Sequence, residues 1–187
     1  MIFPTLKDYF VDDLVDEDSE IIFVLESPHT DEIKNGYPVA GKSGKDMSKV
    51  LFGLSEPFGK LLYEKKITNI GILNVSNYPL QKSAYKNQNL QDLEFFELIR
   101  QNPKLRKYDK NSINQTTKKI MLDFKNRLST CRDKKIVLCG NFAQNAFDYW
   151  LDDKEFQEVL RVPHPSFNNW TKIIYKQKIE NLKDFIR

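Results

Sequence analysis

Two short runs set an acid, two imidazoles and several prolines directly after apolar stretches. Leu25-Glu26-Ser27-Pro28-His29 continues Ile21-Ile22-Phe23-Val24, and His164-Pro165-Ser166 continues a run ending in Val162-Pro163. His29 and His164 are the chain's only histidines. A strand that stops at such residues delivers them to a sheet edge, where open α/β proteins gather their ligand groups. A carboxylate and an imidazole meeting there would suit proton handling or the stabilisation of charge on a bound molecule. Taken singly, each residue has a plain structural alternative. Glu26 suits a helix cap or a lysine partner, and His164 suits a turn. Asn74, closing a third apolar run, suits a turn as well, although Asn77 before Tyr78-Pro79 is the better turn former.

A second chemistry is written in Gly36-Tyr37-Pro38-Val39-Ala40-Gly41-Lys42-Ser43, which matches the phosphate-loop pattern G-x-x-x-x-G-K-[ST] letter for letter. Its setting argues against a nucleotide triphosphatase. A phosphate loop leaves a strand directly, whereas this apolar run stops near Ser27, nine residues before Gly36. The later runs end in Asn74 and in Cys139-Gly140, where a magnesium-holding acid would be needed.

The elements that position these residues follow from periodicity. Apolar runs at 20–26, 68–75, 134–139 and 157–162 predict four strands. Helical spacing predicts helices over Asp46–Leu54, Asp92–Arg100 and Phe142–Leu151. It also predicts one capped by Ser112 that carries Ile113, Ile120, Met121, Phe124 and Leu128. A closing helix is expected over Trp170–Ile186, with Ile173, Ile174, Ile179, Leu182 and Phe185 on its buried side. The stretch Gln81–Gln91 and the turn at Asn102-Pro103 read as surface loops. Strands alternating with helices imply a three-layer αβα sandwich around a central four-stranded parallel sheet. Right-handed crossovers then bring Glu26–His29, Asn74–Asn77, Gly140-Asn141 and His164–Ser166 to one edge.

Composition narrows the class. A chain of 187 residues, 40% hydrophobic and 12% aromatic, suits one domain over 1–187 with a substantial core and argues against disorder. Two cysteines, Cys131 and Cys139, supply neither a disulfide framework nor a thiolate cage, so no metal is expected. The N-terminus lacks a secretory pattern and no run reaches membrane-spanning length, which leads to the expectation of a cytoplasmic protein with no membrane partner. Charge is uneven: residues 1–32 hold one Lys and ten acids, net −9, and the other 155 hold 28 Lys/Arg and 16 acids, net +12. A basic body suits a polyanion such as nucleic acid, and equally an ordinary solvated lysine surface.

Taken in order, these pieces resemble the uracil-DNA glycosylase superfamily, closest to its family 4 branch. That branch carries Gly-Glu-Ala-Pro-Gly, then acids, then Gly-x-Pro-Phe-Val-Gly-x-Ala/Ser-Gly. This chain has Leu25-Glu26-Ser27-Pro28-His29, Asp31-Glu32 and Gly36-Tyr37-Pro38-Val39-Ala40-Gly41-Lys42-Ser43-Gly44. Ile72-Leu73-Asn74-Val75 resembles the strand whose Asn reads the base. Leu138-Cys139-Gly140-Asn141-Phe142-Ala143 resembles the Leu-Gly-x-x-Ala turn, and His164-Pro165-Ser166 the closing His-Pro-Ser. The ordered set is far more specific than any one piece, and it spans most of the chain.

The resemblance implies a monofunctional DNA glycosylase, most simply a monomer, that flips a base out of DNA and leaves an abasic site. Roles in repair or in defence against phage are both compatible with it. Glu26 would orient water and face positive charge on the sugar. His164 would donate to the departing base, and Asn74 would read its edge. Ser27, Pro28, His29, Tyr37 and Val39 would surround the base. Gly41, Lys42, Ser43, Lys82, Ser166, Phe167 and Asn168 would meet the DNA, with Lys45 adding attraction. Other readings are a non-catalytic nucleic-acid-binding member of the same fold, and the triphosphatase.

Three departures from the branch matter. Its cluster-ligating cysteines are absent, so no cofactor is expected. Val39 replaces the Phe that stacks on uracil, which leaves room for a larger base such as a hypermodified cytosine, with Tyr37 or His29 as substitute faces. Asn168 stands where relatives place an apolar wedge, a part that Phe167 or Trp170 would have to take.

Overall fold

The computed structural model describes residues 2–87, 92–101 and 115–187. Four parallel strands, β1 (Ile21–Leu25), β2 (Ile70–Asn74), β3 (Lys135–Cys139) and β4 (Glu158–Val162), form one sheet in the order β2-β1-β3-β4. Each lies within its predicted run, a residue or two shorter at the ends.

Alternation along the strands divides the core into two faces. Ile22, Val24, Leu73, Ile136 and Leu138 pack on one side, beneath α4 (Asp92–Gln101), α5 (Gln115–Leu128) and α6 (Gly140–Trp150). Ile21, Phe23, Leu25, Ile72, Val137 and Val162 pack on the other, beneath α2 (Lys42–Phe52), α3 (Phe58–Tyr63) and α7 (Lys176–Phe185). The result is the expected three-layer αβα sandwich. Burial on both faces explains why β1, β2 and β3 read as largely apolar runs.

Two short helices escape the periodicity of the sequence: α1 (Thr30–Asn35) and α3. Each is six residues long, too short for a clear apolar stripe. α1 is set by its ends. The Glu32 side chain accepts the His29 backbone N–H at 2.9 Å, and Gly36 closes the helix with φ +79°. The run that matches the phosphate-loop pattern therefore starts at the C-cap of a helix and not at the end of a strand.

The closing helix differs from expectation. It begins only at Lys176, after two 3-10 turns, Ser166–Thr171 and Ile173–Tyr175. Lys172 between them is extended (φ −72°, ψ 137°), which interrupts helical bonding. Ile173 and Ile174, expected on the buried side, are 80% and 74% exposed. The cap expected at Ser112, the helix residue Ile113 and the turn at Asn102-Pro103 lie outside the described residues.

The sheet's outer borders are both covered. Leu14 forms an antiparallel bridge with Ile72, exchanging N–H and C=O at 2.9 and 2.7 Å, so residues before β1 shield the free side of β2. On β4, Arg161 projects an ion-pair cluster with Asp148 and Asp153, a charged border of the kind that discourages strand addition. No helix among the described residues is long and apolar enough to cross a membrane.

Candidate active site

Because all four strands run parallel, the segments that follow them gather along one edge. Leu25 stands opposite Asn74, Val24 opposite Leu138 and Cys139 opposite Val162, so Glu26 and Asn74 leave adjacent strands and His164 follows β4, on the far side of β3. They line a single cavity of about 410 Å³, together with Ser27, His29, Val39, Ser43, Ser166 and Phe167. That volume suits a small-molecule or extruded-base ligand.

His164 is held in one tautomer. The Ser166 backbone N–H donates to its Nδ1 at 3.1 Å, and Ser166 Oγ lies 2.8 Å from the same nitrogen. A ring nitrogen that accepts a backbone N–H carries no proton, so the neutral imidazole keeps its hydrogen on Nε2. Burial, reinforced by the nearby Arg100 cation, lowers the imidazole pKa from 6.5 to about 4. At neutral pH this is a neutral N–H donor. Its turn is pinned by Asn169 Nδ2 donating to His164 O at 3.0 Å and by Trp170 Nε1 donating to Pro163 O at 2.7 Å. Gly140 closes the wall behind it. A Cβ there would sit 2.7 Å from His164 Cβ, and φ at Gly140 is +84°.

Asn74 is 3% exposed and its backbone is clamped from both sides. Its N–H donates to Asp13 Oδ1 at 3.1 Å, and its C=O accepts from an Arg127 guanidinium nitrogen at 2.9 Å. Arg127 also donates to Val75 O at 3.1 Å and to Asp13 Oδ2 at 2.7 Å. Burial raises the Asp13 pKa and the Arg127 charge opposes that rise. Asn77 belongs to this clamp, donating from Nδ2 to Val11 O at 2.8 Å and to Asp13 Oδ1 at 3.0 Å. The hydrogen bonds described for Asn74 run through its backbone, so its side-chain amide is left for a ligand.

The remaining sequence candidates divide. Ser27 Oγ accepts the Leu80 N–H at 3.3 Å, which ties the loop after β1 to the loop after β2. Val39 is buried, has φ +54°, and forms part of the cavity wall. Tyr37 does not face the cavity. It stacks on Tyr63 with centroids 5.0 Å apart and planes at 24°, so it offers no surface to a base. Pro28, Gly41, Lys42, Lys82 and Asn168 also lie off the lining, Lys42 as the exposed first residue of α2.

Of the two wedge candidates, Trp170 is core, at 3% exposure, and Phe167 is 84% exposed at the cavity rim. Consecutive left-handed residues, Phe167 (φ +56°) and Asn168 (φ +53°), turn the chain so that the Phe ring leaves the core.

Arg100 and Gln81 line the cavity without having been singled out from sequence, as does Glu32, read there only as part of the Asp31-Glu32 motif, and Asp13 and Arg127 clamp the Asn74 backbone beside it. Arg100 lies 74 residues from the acid it meets, and no local pattern announces such a contact.

Comparison with known proteins agrees with this architecture. The family model of the uracil DNA glycosylase superfamily matches residues 13–185. No curated protein matches the chain.

Proposed function

Since the chain belongs to the uracil DNA glycosylase superfamily, we propose that its cavity receives a base extruded from DNA and that it hydrolyses the base–sugar bond, leaving an abasic site. The observation that carries this reading is the meeting of Glu26, Asn74 and His164 around one cavity, from three separate strand ends.

The chemistry follows from what each group offers. Glycosidic cleavage develops positive charge on the sugar and negative charge on the departing base. Glu26 supplies a carboxylate to orient water and offset the sugar's charge. His164, neutral and carrying its proton on Nε2, donates a hydrogen bond to the base oxygen as charge builds there. Asn74, with its backbone immobilised, presents a donor and an acceptor that match the O4 and N3–H edge of a pyrimidine such as uracil. Phe167 fills the gap left in the stack. Ser27, Ser43 and Ser166 bond phosphates, and Lys42 and Lys82 add salt-dependent attraction. Among the described residues no lysine lines the cavity, and the reading is of release that stops at the abasic site, without Schiff-base strand cleavage.

Val39 makes the pocket wall aliphatic where the family 4 branch has a ring, and we extend the proposal to bases that carry a ring substituent. The test is release of free base, identified by mass spectrometry, from duplexes containing uracil and from heavily modified phage DNA. Glu26→Gln and His164→Ala are expected to lose about 100- to 1,000-fold in single-turnover rate while retaining DNA binding. Release of uracil alone would reject the enlarged pocket. DNA binding without release from any substrate would favour the non-catalytic reading.

A further inference from the structure

Glu26 does not stand alone in the cavity. Arg100, near the C-terminal end of α4, donates from Nε to Glu26 Oε1 at 2.7 Å. Its guanidinium also lies 3.9 Å from Glu97 Oε1. Glu97 is itself anchored: Oε2 accepts the Lys82 backbone N–H at 3.0 Å, and Oε1 accepts from Gln101 Nε2 at 2.7 Å. α4 is seated by Leu93, Phe96 and Ile99, all fully buried. A rigid helix therefore carries one guanidinium to the carboxylate that is to do the chemistry.

Stability does not explain the pair. The Arg100 side chain is 37% exposed and that of Glu26 21%, and an ion pair so open to water contributes little to folding. Among the described residues, Arg100 is also the only Lys or Arg that lines the cavity.

We propose that Arg100 is a positioning residue for the reaction read above: by gripping Oε1 of Glu26 it fixes the carboxylate plane and leaves Oε2 as the acceptor presented to the attacking water. The inference rests on that reading. A guanidinium suits the task because its planar fork directs the contact, which the point charge of a lysine does not.

The same cation acts on His164, whose proton affinity falls first through burial and then through Arg100. Among the described residues, the other titratable groups on the cavity wall are Glu26 after β1, and His29 and Glu32 at the start of α1. From α6 the group against the imidazole is the Gly140 backbone.

Arg100→Gln and Arg100→Lys test the proposal by three readouts. In single-turnover release at saturating DNA, Arg100→Gln is expected to fall about 10- to 100-fold with unchanged DNA affinity, the scale of a misplaced catalytic group. Arg100→Lys is expected to recover only part of that loss. In a Glu26→Gln background, Arg100→Gln is expected to add nothing, because its effect passes through Glu26. The third readout needs no activity: with only two imidazoles in the chain, NMR titration follows His164 directly. Its midpoint is expected to rise in Arg100→Gln and to stay low in Arg100→Lys.

A wild-type or faster rate in Arg100→Gln overturns the proposal, as does an additive loss in the Glu26→Gln background. A loss confined to DNA affinity overturns it too, since that would make Arg100 a phosphate contact. An unmoved His164 midpoint overturns the electrostatic part. Absence of base release by the wild-type protein fails the underlying glycosylase reading instead, and the titration separates the two failures.

Discussion

At the scale of single residues, the imidazole of His164 combines two demands. In the role proposed for it, a hydrogen-bond donor to a departing base must be oriented, and it must stay neutral near pH 7. The Ser166 N–H meets the first by occupying Nδ1, and burial beside Arg100 meets the second. The linkage sign follows. The folded pKa of about 4 lies below the ordinary 6.5, so between these values the unfolded chain binds more protons and stability rises with pH. The full contribution is present above pH 6.5, and on the order of 3 kcal/mol of it is lost as pH falls to 4. Chemical denaturation at pH 4.5 and 7 is expected to show this loss in wild type and a smaller one in His164→Gln. Gly140 answers a different need at the same spot. Gly140→Ala combines a left-handed φ with a Cβ driven into His164, so about 1–3 kcal/mol of strain and a displaced donor are expected. A melting curve and a single-turnover rate report the two effects separately.

At the scale of elements, the ends of β2 and β4 are held by unlike devices. The end of β2 is fixed by charge. Asp13, from the segment that shields the sheet border, and Arg127, from α5, bracket the Asn74 backbone. Arg127→Met leaves the Asp13 carboxylate buried without its cation, for which a loss of about 3–5 kcal/mol is expected by denaturant titration. In the fraction still folded, weaker discrimination among bases is expected to accompany it, because Asn74 loses its anchor. The end of β4 is fixed by a turn whose left-handed residues present Phe167 outward. Phe167→Ala removes no core contact, so its melting temperature is expected to match wild type. Base release from duplex DNA is expected to fall while release from single strands persists, since only the duplex requires the extrusion that a wedge supports. Paired assays on the same oligonucleotide, annealed and free, provide the comparison.

At the scale of the whole molecule, the excess of negative charge over residues 1–32 is partly consumed by structure. Asp13 pairs with Arg127, Asp16 with Lys65, and Glu26 with Arg100. Lys42 is exposed at the head of α2, beside the cavity-lining Ser43. Lys42→Gln is expected to weaken DNA binding alike for every sequence and to lower the slope of log affinity against log salt by about 1. Fluorescence anisotropy across a salt series measures it. An unchanged slope would make Lys42 an ordinary solvated lysine.

The strands and the αβα layering were readable along the chain because strands buried on both faces leave continuous apolar runs, which are local signals. Glu26, Asn74 and His164 were readable for a related reason, since a polar residue ending such a run must emerge at the edge of the sheet. Short helices without a full apolar stripe were not readable. Nor was the exposure of Ile173 and Ile174, because helical spacing does not reveal that Lys172 stays extended. Tertiary structure alone turned Tyr37 onto Tyr63 and away from the cavity, and brought Arg100 to Glu26 and Asp13 with Arg127 to Asn74. Those contacts join residues 53 to 114 positions apart or depend on the packing of separate helices. Contacts of that kind leave no period in the sequence: they exist only once the chain has closed on itself and a buried charge must find a partner.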